Sequence, residues 1–116
     1  GGAVVEALPA GPGRVEVMVT FGGRVILLCG DEGSMPSIEG RVDILDVAGS
    51  GQPGSIGRDS ARTMWPQVSI VGSDVGEDVL SALGMSRILD TSRGQAHVTV
   101  SATGTVTASG QNAQEG

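Results

Sequence analysis

Residues 14–29, RVEVMVTF-GG-RVILLC, constrain the fold more than any other stretch of the chain. Val15, Val17, Val19 and Phe21 alternate with Arg14, Glu16, Met18 and Thr20, the period-two pattern of a strand. Gly22-Gly23 then suits a two-residue type I′ or II′ turn, because glycine accepts positive φ without steric cost. The resulting register pairs Val19 with Ile26 and Val17 with Leu28 on the Phe21 face. On the opposite face it pairs Met18 with Leu27 and Thr20 with Val25. Both faces carry apolar groups, so a sheet with one wet side does not satisfy them. The hairpin is expected to be central, with core on one side. Met18, Val25 and Leu27 are expected to meet a second layer or another chain on the other side.

The remaining pattern is a series of short strands punctuated by turn residues. Residues 3–8 (AVVEAL) read as a strand stopped by Pro9 and Gly11-Pro12-Gly13. Residues 30–40 are a polar loop. Residues 41–48 (RVDILDVA) are a strand whose apolar phase switches between Ile44 and Leu45, which predicts a bulge or burial on both faces. Residues 49–57 (GSGQPGSIG) read as a flexible loop, the best place for a mobile excursion. Residues 58–66 predict one helical turn ended by Pro66, and 67–71 and 86–90 predict strands. Between those strands lies one well-marked helix at about 74–83. Asp74 and Glu77 stand in capping-box spacing, Val75, Val79, Leu80 and Leu83 form an apolar stripe, and Gly84 is placed to end it.

Residues 95–109 (QAHVTVSATGTVTAS) alternate most cleanly. Ala96, Val98, Val100, Val106 and Ala108 share one parity, and His97, Thr99, Ser101, Thr105, Thr107 and Ser109 the other. A single strand would run about 45 Å. A hairpin with the three-residue loop Ala102-Thr103-Gly104 keeps the same face pattern at ordinary strand length, and is favoured for that reason. The polar tail 111–116 is expected to be loose.

Composition narrows the functional classes. The 116 residues include 20 Gly, only Phe21 and Trp65 as aromatics, and no Lys; seven Arg face thirteen acids for a net charge of −6. Nucleic-acid binding needs clustered cations and stacking aromatics, so a nucleic-acid partner is not expected. An anionic membrane surface is disfavoured by the same charge, and no apolar run is long enough for a membrane-spanning helix. Cys29 is alone, within an apolar run, and reads as a small buried hydrophobe rather than a reactive thiol.

No motif supplies a catalytic set. His97 sits among Thr and Ser on a regular strand, with no nucleophile elbow in the chain. The acidic groups Asp31-Glu32, Asp43/Asp46 and Glu77-Asp78 match neither a calcium loop nor a zinc spacing. The 49–57 glycines followed by Arg58 and Arg62 lack the G-K-[ST] of a phosphate loop. No metal or cofactor is therefore expected. Arg58, Arg62, Met64 and Trp65 are of the types enriched at interface centres, which makes them interface candidates. Thr99, Ser101, Thr105 and Thr107 form an uncharged hydroxyl face able to stay solvated or to meet another sheet.

The stretch DVLSALG followed by GQAHVTVSATGTVTAS is similar to segments of flagellar filament and hook-associated proteins, where a short helix precedes a Thr/Val-rich hairpin. The likeness covers about a third of the chain. The long terminal helices of that family have no counterpart here, and no site residue carries over. Small β-rich decoration proteins of phage capsids are similar in size and composition.

These readings converge on one mainly β domain over residues 1–110, a small sandwich or partly open barrel of six to eight strands with one short α-helix. The expected function is that of a non-enzymatic structural or assembly subunit of a virion, tail or extracellular appendage. Its partners would be other protein chains, in a homo-oligomer or larger assembly. Two alternatives stand beside it: a binding module for a small ligand or peptide, and a hydrolase using carboxylates that form no recognised motif.

Overall fold

The computed structural model describes residues 2–9, 15–29, 40–47 and 51–112. The stop expected at Gly11-Pro12-Gly13, the first residue of the strand expected at 14–21, all but the last residue of the polar loop expected at 30–40, residues 48–50 and the end of the tail at 113–116 lie outside the described residues. The protein is mainly β, and its described residues form eight strands in two sheets and two helices. In chain order these are β1 (Val4–Pro9), β2 (Val15–Phe21), β3 (Arg24–Leu28), β4 (Ile44–Asp46), α1 (Arg58–Met64), β5 (Val68–Val71), α2 (Glu77–Ala82), β6 (Arg87–Asp90), β7 (His97–Val100) and β8 (Val106–Ser109).

The first six strands lie in one sheet in sequence order, and β7–β8 form a second. The β2–β3 register is the one the Gly-Gly turn dictates, from Val17 opposite Leu28 to Phe21 opposite Arg24. Gly22 (φ 59°) and Gly23 (φ 77°) both take the left-handed conformation a type I′ turn requires. β1 joins antiparallel to β2. From β3 onward the pairing changes, and β3–β4, β4–β5 and β5–β6 are all parallel. Parallel neighbours need long crossovers, and α1 and α2 lie within those from β4 to β5 and from β5 to β6.

The central parallel strands are buried on both faces. On one side Leu27, Leu45, Val71 and Ile88 pack with Ala61 and Met64 of α1 and with Val79, Ala82 and Leu83 in and after α2. On the other, Ile44, Val68 and Leu89 pack beneath Ala96, Val98, Val100, Val106 and Ala108 of the β7–β8 hairpin. Three layers result: helices, six-stranded sheet and hairpin. The apolar phase switch at Ile44-Leu45 is burial on both faces, with both residues at 3% exposure or less.

The hairpin reading of 95–109 is the one observed. Val98 faces Ala108, Val100 faces Val106, and Ser101 N–H donates to Thr105 O at 3.0 Å around the loop 102–104. Gly104 (φ 89°) is the residue in the left-handed position. Gly22 and Gly104 also meet each other. A Cβ on Gly104 would lie 2.6 Å from Gly22 O, and one on Gly22 would collide with Ser101 O. The tip of one hairpin therefore rests backbone to backbone on the tip of the other.

Four local expectations change. The helix α2 begins at Glu77 with Gly76 as its N-cap, not at Asp74, and no side chain caps it. Asp74 instead takes φ 62° in the preceding turn, and Gly76 leaves no room for a side chain, since its Cβ would lie 2.8 Å from Pro53 Cα. The single turn expected at 58–66 is a seven-residue helix. Residues 51–57 are no mobile excursion: Ile56 is 3% exposed in the helix-side core. Gly51 O accepts from Gly76 N–H at 2.8 Å, and Gly54 N–H donates to Asp78 Oδ2 at 2.9 Å. Within the tail, Gln111 O accepts from Asp90 N–H at 2.8 Å and Asn112 bridges Leu89, so these two residues line the β6 edge.

Candidate protein-contact site

The helix layer carries the most distinctive surface. Spacing along α1 explains it: Arg58, Arg62 and Trp65 stand at i, i+4 and i+7, on one side of the helix, while Ala61 and Met64 stand on the other. Ala61 and Met64 are at 0% and 1% exposure in the core, whereas Arg58 and Arg62 are exposed and Trp65 is 51% exposed. Met64, grouped with the other three as an interface candidate, is thus a core residue. Its side chain anchors α1 to the sheet.

Arg58, Arg62 and Trp65 line one shallow groove of about 310 Å³. Its far wall is the C-terminal part of α2 and the turn after it, Ser81, Ala82, Gly84 and Met85. This wall is not legible in the sequence, because the groove exists only once α1 and α2 lie side by side on the sheet.

The cations of the groove differ from the other described arginines. Arg24 Nε donates to Gly104 O at 2.8 Å and its Nη1 lies 3.3 Å from Asp43 Oδ1. Arg41 Nε lies 3.0 Å from the same oxygen. Arg87 Nη1 donates to Ala108 O at 2.8 Å, and Arg93 pairs with Asp90 at 3.5 Å. These four are spent on the fold. The side chains of Arg58 and Arg62 form no ion pair or hydrogen bond with the described residues. Their guanidinium groups are left to solvent.

Trp65 is held in an unusual way. It is the C-cap of α1, at φ 47° and ψ 58°, with its N–H donating to Ala61 O at 2.8 Å. A left-handed C-terminal position normally belongs to glycine. A bulky residue there costs about 1–3 kcal/mol of backbone strain. Half-exposed, Trp65 recovers only part of the packing energy a core tryptophan would contribute.

The other sequence candidates separate by layer. Leu27 is fully buried against the helix-side core, with Met18 and Val25 packed at its margin. Their second layer is therefore supplied by the chain itself. Thr99, Ser101, Thr105 and Thr107 are all exposed on the outer face of the hairpin, as is His97. Ser101 Oγ is taken locally, 2.9 Å from Thr103 Oγ1 and accepting from Thr105 N–H at 3.0 Å. The hydroxyl face and the Arg/Trp groove lie on opposite sides of the sheet and cannot form one site.

Among the described residues no three His, Cys, Asp or Glu side chains converge as a metal-holding group. Asp43, one of the acids weighed as a ligand, is 4% exposed and receives Arg24, Arg41 and the Val25 N–H at 2.9 Å. That arrangement ties β3, the entry to β4 and, through Arg24, the β7–β8 loop. No helix among the described residues is long and apolar enough to cross a membrane. The chain matches no protein-family model, no curated protein and no solved structure.

Proposed function

We propose that this protein is a non-enzymatic structural or assembly subunit that works by contacting other protein chains, with the α1–α2 groove as its contact surface. One observation carries the reading: Arg58, Arg62 and the strained, half-exposed Trp65 share a groove, while the other four described arginines are committed within the fold. Tryptophan and arginine dominate the energetic centres of protein interfaces. Trp65 offers a large rigid surface, and the two free guanidinium groups offer charge-assisted hydrogen bonds. The partner that fits is a protein segment carrying carboxylates beside an apolar anchor. A virion, tail or extracellular appendage is the setting in which we place such a subunit, from the likeness of its C-terminal third to appendage proteins.

Photocrosslinking tests this directly. A photoreactive residue at position 65, with one at position 97 on the opposite layer as control, is expressed in the source cells and its adducts are identified. Recurrent protein adducts from position 65, lost in the Arg58→Glu/Arg62→Glu variant, are expected. No protein adducts from 65, or the same set from 97, would refute the assignment.

A further inference from the structure

The six-stranded sheet has two edges, and they are treated differently. The β6 edge is lined by Gln111 and Asn112, and Arg87 of β6 reaches Ala108 O. No described residue pairs with the outer side of β1.

Ladder parity determines what that outer side offers. The two-residue turn closes on the hydrogen-bonded pair Phe21–Arg24. Bonded pairs alternate along an antiparallel ladder, so Val19 and Val17 also aim their N–H and C=O at β3. Thr20, Met18 and Glu16 aim theirs at β1. Val25 agrees with this assignment: its N–H donates to Asp43 Oδ2 at 2.9 Å and its C=O accepts from Asp43 N–H at 2.8 Å, both away from β2. Val4, Glu6 and Leu8 stand opposite Thr20, Met18 and Glu16, so their backbone groups are used inward. Those of Val5 and Ala7 point outward. Pro9 has the outward parity too, where its missing N–H costs the β1–β2 ladder nothing. Val4 and Val5 are 56% and 66% exposed, and no lysine guards the edge.

We infer that the outer edge of β1 pairs antiparallel with β1 of a second copy of this chain, about a two-fold axis at Val5. Three registers bring outward groups of Val5 and Ala7 together. An axis at Glu6 would set two carboxylates directly opposite each other, which is unfavourable. An axis at Ala7 would place Val5 against Pro9, which has no donor. An axis at Val5 pairs Ala3 with Ala7, Val4 with Glu6, and Val5 with itself, every outward residue keeping its N–H. It also joins two apolar rows, since Val5, Val19, Ile26, Ile44 and Val68 stand side by side across each sheet. The contact is isologous, so it closes at two copies. An edge-only contact buries little area, and each copy carries a net charge of −6, so the dimer is weak and strengthens with salt. It rests on β1 alone and is independent of the α1–α2 groove.

The test uses the full chain alone. Sedimentation equilibrium from micromolar to millimolar concentration should show mass rising toward twice the monomer, further at high salt. Amide exchange measured over the same range should slow by about tenfold or more at Val5 and Ala7, while Val4 and Glu6 stay protected throughout. Val5→Pro should remain monomeric with an unchanged thermal midpoint, because it deletes an outward N–H. Val4→Pro should lower that midpoint, because it deletes an inward one. A mass fixed at the monomer under every salt condition overturns the inference. So does a dimer in which exchange at Val5 and Ala7 ignores concentration, since that dimer forms elsewhere. Should Val5→Pro fail to fold, the exchange contrast within the natural sequence decides alone.

Discussion

Replacing Asp43 with Ala tests whether one carboxylate holds three parts of the fold together. The side chain is 5% exposed. It accepts from Val25 N–H at 2.9 Å, Arg41 Nε at 3.0 Å and Arg24 Nη1 at 3.3 Å. Removing it strands the Val25 N–H beside a buried strand, at a cost of about 1–3 kcal/mol. Arg24 is 35% exposed on its side chain and also holds Gly104 O. Losing its longer contact to Asp43, at 3.3 Å, adds about 1 kcal/mol. Arg41 is 52% exposed, and water replaces its partner for about 0.5 kcal/mol or less. The expected loss is therefore about 3 kcal/mol, a large share of the roughly 5–15 kcal/mol that stabilises a domain. Urea unfolding followed by far-UV circular dichroism measures it; with a slope of about 1.5 kcal/mol/M the midpoint should fall by about 2 M. Arg41→Ala should move it by less than about 0.3 M. If Asp43→Ala costs under about 1 kcal/mol, or if Arg41→Ala costs as much, the Val25 N–H is not the principal term and the reasoning fails.

Other expectations follow from the same geometry. Gly104→Ala should destabilise by about 2 kcal/mol or more by thermal unfolding, since φ 89° is unfavourable for alanine and its Cβ would press on Gly22 O at 2.6 Å. Ile56→Ala should cost about 2–4 kcal/mol in urea, because residue 56 is a core plug and not part of a free loop. Thr107→Lys on the exposed hairpin face should shift stability by no more than about 0.5 kcal/mol; a larger loss would show that this face is packed. In the crosslinking assay, Trp65→Ala combined with a photoreactive residue at position 62 should lose most protein adducts, while its urea midpoint stays measurable.

Much of the β architecture was legible because its signals were local. Gly22-Gly23 set the β2–β3 register to the residue, and Gly104 set the β7–β8 loop, in each case because a positive φ can be read from a glycine between alternating strands. The Phe21 face, expected to hold the core, is only half-buried, with Leu28 42% exposed and Ile26 alone of its residues packed beneath the β7–β8 hairpin; burial of the opposite face was legible from Met18, Val25 and Leu27. What covers them was not, since it depends on the crossovers. Parallel pairing leaves no turn signature: nothing adjacent to Ile44 indicates Val68 as its neighbour. The α2 start was misplaced because Asp74 had a good capping pattern, yet tertiary contact at Pro53 required Gly76 instead. The groove was half legible. Arg58, Arg62 and Trp65 already stood at i, i+4 and i+7, but a segment read as one helical turn has no sides to compare. The core position of Met64 was not legible for the same reason.

The hairpin that roofs the parallel strands pairs only with itself through neighbours close in sequence, whereas β3 to β6 are assembled across distant segments. Its loop and the Arg24 contact fasten it at one end, and Arg87 grips Ala108 at the other. Folding can therefore complete it early and dock it late, because a local hairpin closes faster than long-range parallel pairing. Until it docks, Ile44, Val68 and Leu89 are bare, an apolar strip open to other chains. The serine- and threonine-rich outer face of the roof would then serve as a polar coat that the nascent molecule acquires last.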